Sequence, residues 1–277
     1  MEYIYLYLLS PLHTGGTTQE GNLLGIARES HTNLPYIPSS TVRGKVRSLA
    51  TDKDLRDQLF GNELQENQPL KQEPLKQGDI WIGDASILWL PVPSLSHSVV
   101  WISCPLLLQR WQRLQGGKLS IPLKSLEYSC NFDNSSPVYL KDAIIPKKQL
   151  KPEQIPPEQN LQQFVPKGDA TISINRLLVL PDKHCATLIQ MSLWRQVKIK
   201  LDEHKSVNGG FRYEEAIPPD TLMYLPWGIT SQANGKSKKS AQNFEQLLAK
   251  NDILQIGGQE SLGRGFVQQW MSTSQEN

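Results

Sequence analysis

Cysteine is scarce in this chain, with three residues among 277. Cys104, Cys130 and Cys185 are far apart and form no C-x-x-C pair, which argues against a disulfide framework and against a zinc site. Long apolar runs are missing as well, and a run such as residues 87–92 is far too short to span a bilayer. The first residues, MEYIYLYLLSPLHTGG, have neither a basic segment nor a small-residue cleavage site, so they do not resemble a signal peptide. We therefore expect a cytoplasmic protein that does not contact a membrane.

A strong charge bias is also absent. Twenty-nine basic and 27 acidic residues leave a formal charge of +2, which differs from the strongly basic profile of a free nucleic-acid-binding protein. A local basic groove remains compatible with this balance, because acidic surfaces elsewhere can offset it. Apolar residues at 38% and charged residues at 20% are typical of a folded globular domain.

The order of predicted elements favours one α+β domain. Residues 2–9 alternate tyrosine with isoleucine or leucine, a pattern that predicts a β-strand, and residues 13–25 follow as a glycine-bearing loop. The order strand, helix, strands, helix, strand matches a ferredoxin-like or RRM-type core with long insertions. Polar or proline-rich stretches predict loop insertions at residues 62–78, 131–167 and 231–242, with a helix at 244–254 and a final strand at 263–270.

Residues 34–47, LPYIPSSTVRGKVR, are the most informative stretch. Ser39, Ser40 and Thr41 are N-cap candidates for a helix, and a helix N-terminus offers free N–H groups to an anion. Arg43 and Arg47 are four residues apart and share a helix face, with Lys45 between them. The pattern suits contact with a phosphate backbone, but a capped surface helix with solvated basic side chains explains it equally well.

A glycine-rich segment lies near the end of the chain, at residues 254–267, LQIGGQESLGRGFV. Gly258 and Gly263 have the spacing of a P-loop, yet the lysine and the serine or threonine that complete that motif are absent. Two interpretations remain. The glycines let the backbone approach an RNA phosphate beside Arg264, or they form tight β-turns. The candidate RNA-binding residues of this segment are Gly257, Gly258, Gly263, Arg264 and Gly265.

Residues 202–224 contain two partly apolar arms around Asn208, Gly209 and Gly210, which predicts a β-hairpin with these residues at its tip. A hairpin of this kind can pack on its own domain. It can also insert apolar side chains between nucleic-acid bases.

Residues 38–47 and 254–265 resemble the RAMP superfamily of CRISPR effector proteins, in which a Pro-Gly-Ser-Ser helix start and a C-terminal glycine-rich segment lie against guide RNA. The form of the second segment is similar to that of the repeated backbone subunit of type III-B (Cmr) complexes. Further similar segments, in the same order along the chain, are SPLHTG at 10–15, RESHT at 28–32, GDASILWLPV at 83–92, WISCP at 101–105 and YEEAIPP at 213–219.

This resemblance implies a palm domain that binds CRISPR guide RNA, with His13 among the RNA-binding residues, and a thumb hairpin that enters the guide–target duplex. It implies partnership with single-stranded target RNA, further copies of the chain and other Cmr-complex subunits. The thumb residues implied in this chain are Asn208, Gly209, Gly210, Phe211, Ile217 and Met223.

Active relatives are expected to cut target RNA with a divalent metal such as Mg²⁺, using an aspartate in the loop that follows the histidine motif. That position falls on Leu23 or Leu24 here, and neither side chain takes a proton or binds a metal. Glu20 is the nearest carboxylate and the one candidate catalytic substitute. We therefore expect a guide-binding subunit without strong cleavage activity. The alternatives are a metal-dependent endoribonuclease that uses Glu20 or a neighbour's acid, and an unrelated nucleotide-binding enzyme built on the glycine-rich loop.

Overall fold

The structure is a computed structural model that describes residues 2–20, 23–62, 74–114, 127–133, 135–151, 174–233, 235 and 237–272. The helices in these ranges are α1 (Ser39–Leu49), α2 (Lys53–Phe60), α3 (Pro105–Leu114), α4 (Asp182–Met191) and α5 (Ser237–Ala249). The strands of the first half are β1 (Glu2–Leu8), β2 (Gly15–Glu20), β3 (Leu23–Ile26), β4 (Tyr36–Ile37), β5 (Ile80–Ile82), β6 (Ala85–Ser94) and β7 (Ser98–Ser103). The later strands are β8 (Tyr128–Cys130), β9 (Val138–Leu140), β10 (Ala143–Ile145), β11 (Leu150–Lys151), β12 (Leu177–Val179), β13 (Trp194–Leu201), β14 (Val207–Ala216), β15 (Leu222–Ile229), β16 (Ile253–Gln255) and β17 (Phe266–Met271).

The centre of the fold is a four-stranded antiparallel arrangement in the order β17, β1, β15, β6. The first strand leads through α1 to β6, and β15 leads through α5 to β17. Strands β1 and β6 are therefore parallel with β15 between them, and β15 and β17 are parallel with β1 between them. This is the split βαβ arrangement of a ferredoxin-like fold. The α+β, ferredoxin-like fold class predicted from the sequence is confirmed.

Strand β1 contributes to two apolar cores because both of its faces are buried. Ile4, Leu6 and Leu8 face the core under α1 and α5, whereas the tyrosines on the opposite face join a second core with Trp89 and Trp111. Trp111 is on α3, and its indole N–H donates to the Tyr5 hydroxyl at 3.1 Å. RRM-type domains stack bases on aromatic residues of this sheet face. Here α3 packs on this face, so its aromatic residues are buried and not presented to a base.

A second, smaller sheet has the strand order β13, β14, β3, β2. Isolated β-bridges join the residues after β1 to this sheet and to the glycine-rich segment: Leu12 pairs with Ile217 and His13 pairs with Gly258. The small sheet is therefore fixed next to the C-terminal end of β1. The prediction that residues 13–25 form a loop is wrong, because β2 and β3 pair antiparallel with each other and β3 pairs with β14.

The predicted hairpin at 202–224 is also misplaced. Its arms are β13 and β14, and the turn is at 202–206, where Asp202 N–H donates to Ser206 C=O at 2.9 Å and Lys205 has φ 59°. Asn208, Gly209 and Gly210 lie within β14, and the register shifts between Ile199 and Leu201. The Asn-Gly-Gly signal thus marks an irregular stretch of a strand, since Gly209 and Gly210 have φ near +90°.

The loop prediction for 231–242 holds only in part. Helix α5 begins at Ser237 and ends at Ala249, so the predicted helix at 244–254 began and ended too late. The buried residues Ser240, Phe244 and Leu248 are spaced by four, and the lysines and glutamine of the first turns are not needed for packing. Residues 131–167 include the short strands β9, β10 and β11 up to residue 151. Residues 152–173 and most of 62–78 lie outside the described residues.

Candidate nucleic-acid interface

A groove of about 530 Å³ lies between α1 and the glycine-rich loop. One wall is a single stripe of α1, and the other is formed by Gln255, Ile256, Gly257, Gly258 and Glu260, with Gly15 between them. The residues of the α1 stripe are Thr41, Gly44, Lys45 and Ser48, which recur at helical spacings of three and four. The walls are therefore mainly polar groups, backbone and one lysine.

Lys45 is the basic residue of α1 that lines this groove. Gly44 stands beside it, and a Cβ at this position would meet no heavy atom within 4 Å. A ligand can thus approach the α1 backbone closely next to a cationic side chain. Of the basic residues predicted on this helix, Lys45 alone lines the groove, and whether it binds RNA stays a prediction.

Arg43 and Arg47 share a helix face, but that face is turned towards α2 and β5. Arg43 donates to the carbonyls of Phe60 and Ile80, and its guanidinium lies 5.7 Å from the centre of the Phe60 ring. Arg47 donates to the Gly61 carbonyl and lies 3.6 Å from Asp57. Both residues therefore bond to the end of α2 in this structure, and their predicted contact with RNA phosphates stays a prediction.

The start of α1 also differs from the prediction. The N-cap residue is Pro38, and Ser39 and Ser40 belong to the first turn without capping the helix. The carboxylate of Asp84 accepts from the Ser39 N–H at 2.6 Å, at the end of the helix where an anion was expected. Ser40 is exposed. The helix start thus already holds a negative group supplied by the turn before β6.

The glycine-rich loop is anchored by its own backbone. Gly258 N–H donates to His13 C=O at 2.8 Å, Gly265 N–H to Pro11 C=O at 3.0 Å, and Gly263 N–H to Glu260 C=O at 2.9 Å. Gly257 has φ +85°, and a Cβ there would lie 2.6 Å from the His13 oxygen. Gly257 and Gly265 are required for close backbone packing, and the bonded N–H groups of Gly258, Gly263 and Gly265 are not available to a phosphate.

Arg264 points away from the groove and is 4% exposed. It contacts Gln259, Gln196 and Glu214, and its guanidinium lies 4.6 Å from the Trp194 ring centre. The structure thus places Arg264 in internal contacts, and its predicted role at an RNA phosphate stays a prediction. Its charge is matched inside the protein by Glu214.

Glu214 is fully buried at the base of β14 and is surrounded by cations. Lys198 lies 2.9 Å away, Arg212 3.0 Å and Arg264 3.3 Å. Burial alone raises the pKa of this carboxyl, but Lys198, Gln259 and Arg264 outweigh it and hold the pKa below its usual range. The neighbouring Glu215 points to the other face and pairs with Arg28 at 2.7 Å and Arg195 at 3.0 Å.

His13 is 5% exposed, and its Nδ1 lies 2.8 Å from the Glu215 carbonyl oxygen. A carbonyl only accepts, so Nδ1 carries a proton and donates it in this bond. This bond fixes the ring behind the glycine-rich loop, where its Cδ2 would lie 3.4 Å from a Cβ at Gly258.

The strand register brings the candidate catalytic positions together. Leu23 lies opposite Glu20 in β2 and beside Tyr213 in β14, and Leu24 pairs with Glu214. Leu23 and Leu24 are both partly buried. The backbone of Glu20 is thus directly across the sheet from one of the two positions at which relatives are expected to carry an acid. The side chain of Glu20 lies outside the described residues.

The hairpin of β13 and β14 has two different faces. Directly opposed residues share a face, and the pairs Val197–Tyr213 and Ile199–Phe211 form one that is apolar and aromatic. The pairs Gln196–Glu214 and Lys198–Arg212 form the other, which is polar and basic. Phe211 is 49% exposed, whereas the implied thumb residues Ile217 and Met223 are both 0% exposed and belong to the core. The last two are therefore not placed where apolar thumb residues could wedge between bases.

Several groove residues were not among the RNA-binding candidates predicted from the sequence: Gly15, Thr41, Gly44, Ser48, Gln255 and Glu260. The spacing of Thr41, Lys45 and Ser48 on α1 was a signal that could have identified the helix stripe. No pattern in the neighbouring sequence indicated that Glu260 would face α1, because this placement depends on the pairing of β17 with β1.

A metal centre is not evident in the part of the chain that is described, because no group of three or more histidine, cysteine, aspartate or glutamate residues there could hold an ion. The leucines at the predicted catalytic position offer no ligand atom either. No helix in the described ranges is long and apolar enough to cross a membrane.

Similarity to known proteins agrees with this architecture. The RAMP superfamily model matches residues 5–268. The CRISPR system Cmr endoribonuclease Cmr4 of Pyrococcus furiosus is 27% identical over 291 aligned residues, which cover 95% of this chain and 92% of that protein. The resemblance to the type III-B subunit inferred from the motifs is confirmed at this level.

Solved structures show the same fold. The crystal structure of oligomeric Cmr4 from Pyrococcus furiosus aligns with a TM-score of 0.69 at 24% identity, covering 98% of this chain and 97% of that one. A subunit in the cryo-EM structure of the type III-B Cmr-beta complex bound to cognate target RNA aligns with a TM-score of 0.74 at 19% identity, covering 98% and 96%. With its family model matched over nearly the whole length and its ferredoxin-like core in place, the chain belongs to the RAMP superfamily.

Proposed function

We propose that this chain is a guide-RNA-binding backbone subunit of a type III-B CRISPR effector complex. Copies of the chain line up along the guide and, with other Cmr-complex subunits, present it to single-stranded target RNA in the cytoplasm. The similarity to Cmr4 over 95% of the chain supports the backbone role.

The observation that carries the RNA-binding part is the groove between α1 and the glycine-rich loop. Its lining is mostly hydroxyl groups, backbone and Lys45, and it is open to solvent along Gly44 and Ser48, which are both exposed. Small-molecule pockets are instead mainly apolar and enclosing. A polar, open groove with Lys45 on its helix wall and Glu260 on its loop wall fits a sugar–phosphate backbone, which is recognised by charge and hydrogen bonds without base specificity.

We assign the hairpin of β13 and β14 as the thumb. Its exposed aromatic face, with Phe211 and Tyr213, suits contact with unstacked bases, and its opposite face, with Lys198 and Arg212, suits phosphates. This assignment replaces the tip expected at residues 208–210 by the turn at 202–206 and the two faces behind it.

We infer that the chain does not cleave RNA by itself, because Leu23 and Leu24 occupy the position of the acid. The register between Glu20 and Leu23 favours one second candidate, a metal-dependent endoribonuclease that uses Glu20. A carboxylate from a neighbouring subunit is the other candidate for the catalytic acid of such an enzyme. A nucleotide-binding enzyme is not proposed, because the glycine-rich segment leads into strand β17 and not into a helix.

The test is RNA binding by the full chain as a function of salt, using fluorescence anisotropy with labelled single-stranded RNA. Lys45→Ala should weaken binding about tenfold and lower the slope of log K against log salt by about 0.7. Lys53→Ala, at an exposed position on the neighbouring helix α2, is the matched control and should change neither. Equal binding by the wild type and Lys45→Ala would overturn the assignment of the groove. The purified complex should also carry a short RNA with a constant 5′ repeat-derived tag.

A further inference from the structure

Arg264 links the loop of the groove to the hairpin. On the loop side it contacts Gln259, and its own carbonyl accepts from Gln255 Nε2 at 3.0 Å. On the hairpin side it donates to Gln196 Oε1 at 2.9 Å and lies 3.3 Å from the Glu214 carboxylate. One guanidinium therefore bonds to both elements at the same time.

The electrostatics make this link costly to rearrange. Arg264 is 4% exposed and Glu214 is 0% exposed, so separating the pair would leave the buried Arg264 guanidinium without its carboxylate, while Lys198 and Arg212 would still pair with Glu214. Removal of one member of such a pair is strongly destabilising, whereas the intact pair serves mainly to fix one arrangement. The Trp194 ring holds the guanidinium from a further side, which restricts it to one plane.

The opposite side of the same loop lines the groove. Gln255, Gly257, Gly258 and Glu260 face the space next to α1, and Gln255 and Arg264 are joined by the bond described above. A ligand that shifts or rigidifies this loop therefore acts on residues that hold Arg264. The hairpin also meets the groove lining by two other routes. His13 bonds to the Glu215 carbonyl and pairs with Gly258, and the small sheet that contains the hairpin also contains β2 with the groove residue Gly15.

We propose that Arg264 is a positioning residue that couples occupancy of the groove to the orientation and rigidity of the hairpin. The inference rests on the proposed function, since the occupant of the groove is taken to be the RNA backbone. Arg264 does not touch the RNA. It sets the orientation of the two faces of the hairpin relative to the bound RNA.

The test is amide hydrogen exchange of β13 and β14 in the full chain, with and without single-stranded RNA. In the wild type, RNA should slow exchange of the outer hairpin, residues 197–201 and 207–213, by about fivefold, since a population shift of this size corresponds to roughly 1 kcal/mol. In Arg264→Leu the RNA-free hairpin should exchange faster and should no longer respond to RNA. RNA affinity should fall less than threefold, because Lys45 and the α1 wall remain.

Two further variants keep the test independent of folding defects. Gln196→Ala removes one bond of Arg264 at an exposed position and should reduce the RNA response without a loss of stability. Arg264→Lys keeps a charge opposite Glu214 but lacks the planar fork, and should restore the resting exchange rate while leaving the response below that of the wild type.

An unchanged RNA response in both Arg264→Leu and Gln196→Ala would overturn the coupling, because a merely structural role would lower stability and leave the response intact. If the wild type failed to bind RNA, the proposed function would fail instead. Amide exchange of the hairpin without RNA, compared between the wild type and Arg264→Leu, would then still show whether Arg264 positions the hairpin.

Discussion

A Cβ built on Gly265 would lie 1.9 Å from the carbonyl oxygen of Ile256. The same pair of residues is joined by the bond from Ile256 N–H to Gly265 C=O at 2.8 Å, so the two sides of the glycine-rich loop are in direct backbone contact. The loop can close in this way because Gly265 has no side chain and a φ of +81°.

Gly265→Ala is therefore expected to destabilise the protein by about 3 kcal/mol, from left-handed strain and overpacking together. Gly263→Ala is the matched control, because its φ is +72° but a Cβ there meets nothing within 4 Å. That variant should lose only about 1 kcal/mol. Chemical unfolding of both variants gives the comparison, and equal losses would contradict the backbone contact.

Arg43 is expected to support stability more than RNA binding. Arg43→Ala removes two bonds to the carbonyls of Phe60 and Ile80 and the contact with the Phe60 ring. The expected loss is about 1 to 3 kcal/mol in the free energy of unfolding, with RNA affinity changed less than that of Lys45→Ala. Unfolding curves and anisotropy titrations on the two variants separate these roles. A tenfold loss of affinity at unchanged stability would restore Arg43 as a phosphate contact.

The ion pair and hydrogen bonds of Glu29 predict that the free energy of unfolding decreases as the pH becomes acidic. Burial raises the pKa of its carboxyl, but the bonds from Arg110 and Thr32 outweigh that effect and leave the pKa below its usual value. The unfolded chain therefore binds the proton more readily. The stabilisation is fully present above the unfolded pKa of about 4.3, and it is lost as the pH falls through the lower folded value.

Glu29→Gln should thus be less stable than the wild type at pH 7 and should show a flatter decline between about pH 5 and pH 3. Urea unfolding across this range measures the effect. Glu203→Gln, at a side chain that is 86% exposed, should follow the wild-type curve. Parallel acid curves for Glu29→Gln and the wild type would show that the ion pair with Arg110 contributes no pH-dependent stability.

Cleavage is expected to be absent or weak in a complex assembled with this chain. Leu23 and Leu24 supply neither a base nor a metal ligand, so matched target RNA incubated with Mg²⁺ should stay intact on a denaturing gel. Glu20→Ala should change nothing. Regularly spaced cuts that disappear in Glu20→Ala would instead establish the endoribonuclease and its acid.

The hairpin offers a contrast between an exposed and a buried apolar residue. Phe211→Ala should lower target-RNA affinity about tenfold, the loss of one base–aromatic contact, with stability changed by less than about 0.5 kcal/mol. Met223→Ala should cost about 2 to 5 kcal/mol in stability because Met223 is fully buried in β15. Binding and unfolding data on both variants test this division. An unaltered affinity in Phe211→Ala would remove the aromatic face from the proposed thumb.

Local pattern predicted some elements well. The alternation of residues 2–9 identified the central strand, and the motif at residues 38–47 identified both the helix and Lys45 on the groove. The same motif did not reveal the direction of Arg43 and Arg47, because the carbonyls they bind belong to the end of α2 and to β5, which meet α1 only in the folded chain.

The hairpin shows a second limit. Asn208, Gly209 and Gly210 are a good turn signal, but the arms that pair are 194–201 and 207–216, and cross-strand contacts decide the register. Glu214 and Arg264 are 50 positions apart in sequence, and their pairing depends on β14 and the glycine-rich loop meeting behind His13. Nothing local predicts such a contact.

The sequence by itself determined the family, the α+β fold class, the central strand, the α1 helix and the absence of an acid at residues 23 and 24. These properties depend on residue type and spacing within a segment. Tertiary structure decided which charges face the groove and which are paired inside. A buried cation has to be matched by an acceptor or a carboxylate, and those partners come from distant segments. Lys45 lines the groove, whereas Arg43 and Arg47 bond to backbone carbonyls at the end of α2 and Arg264 pairs with Glu214.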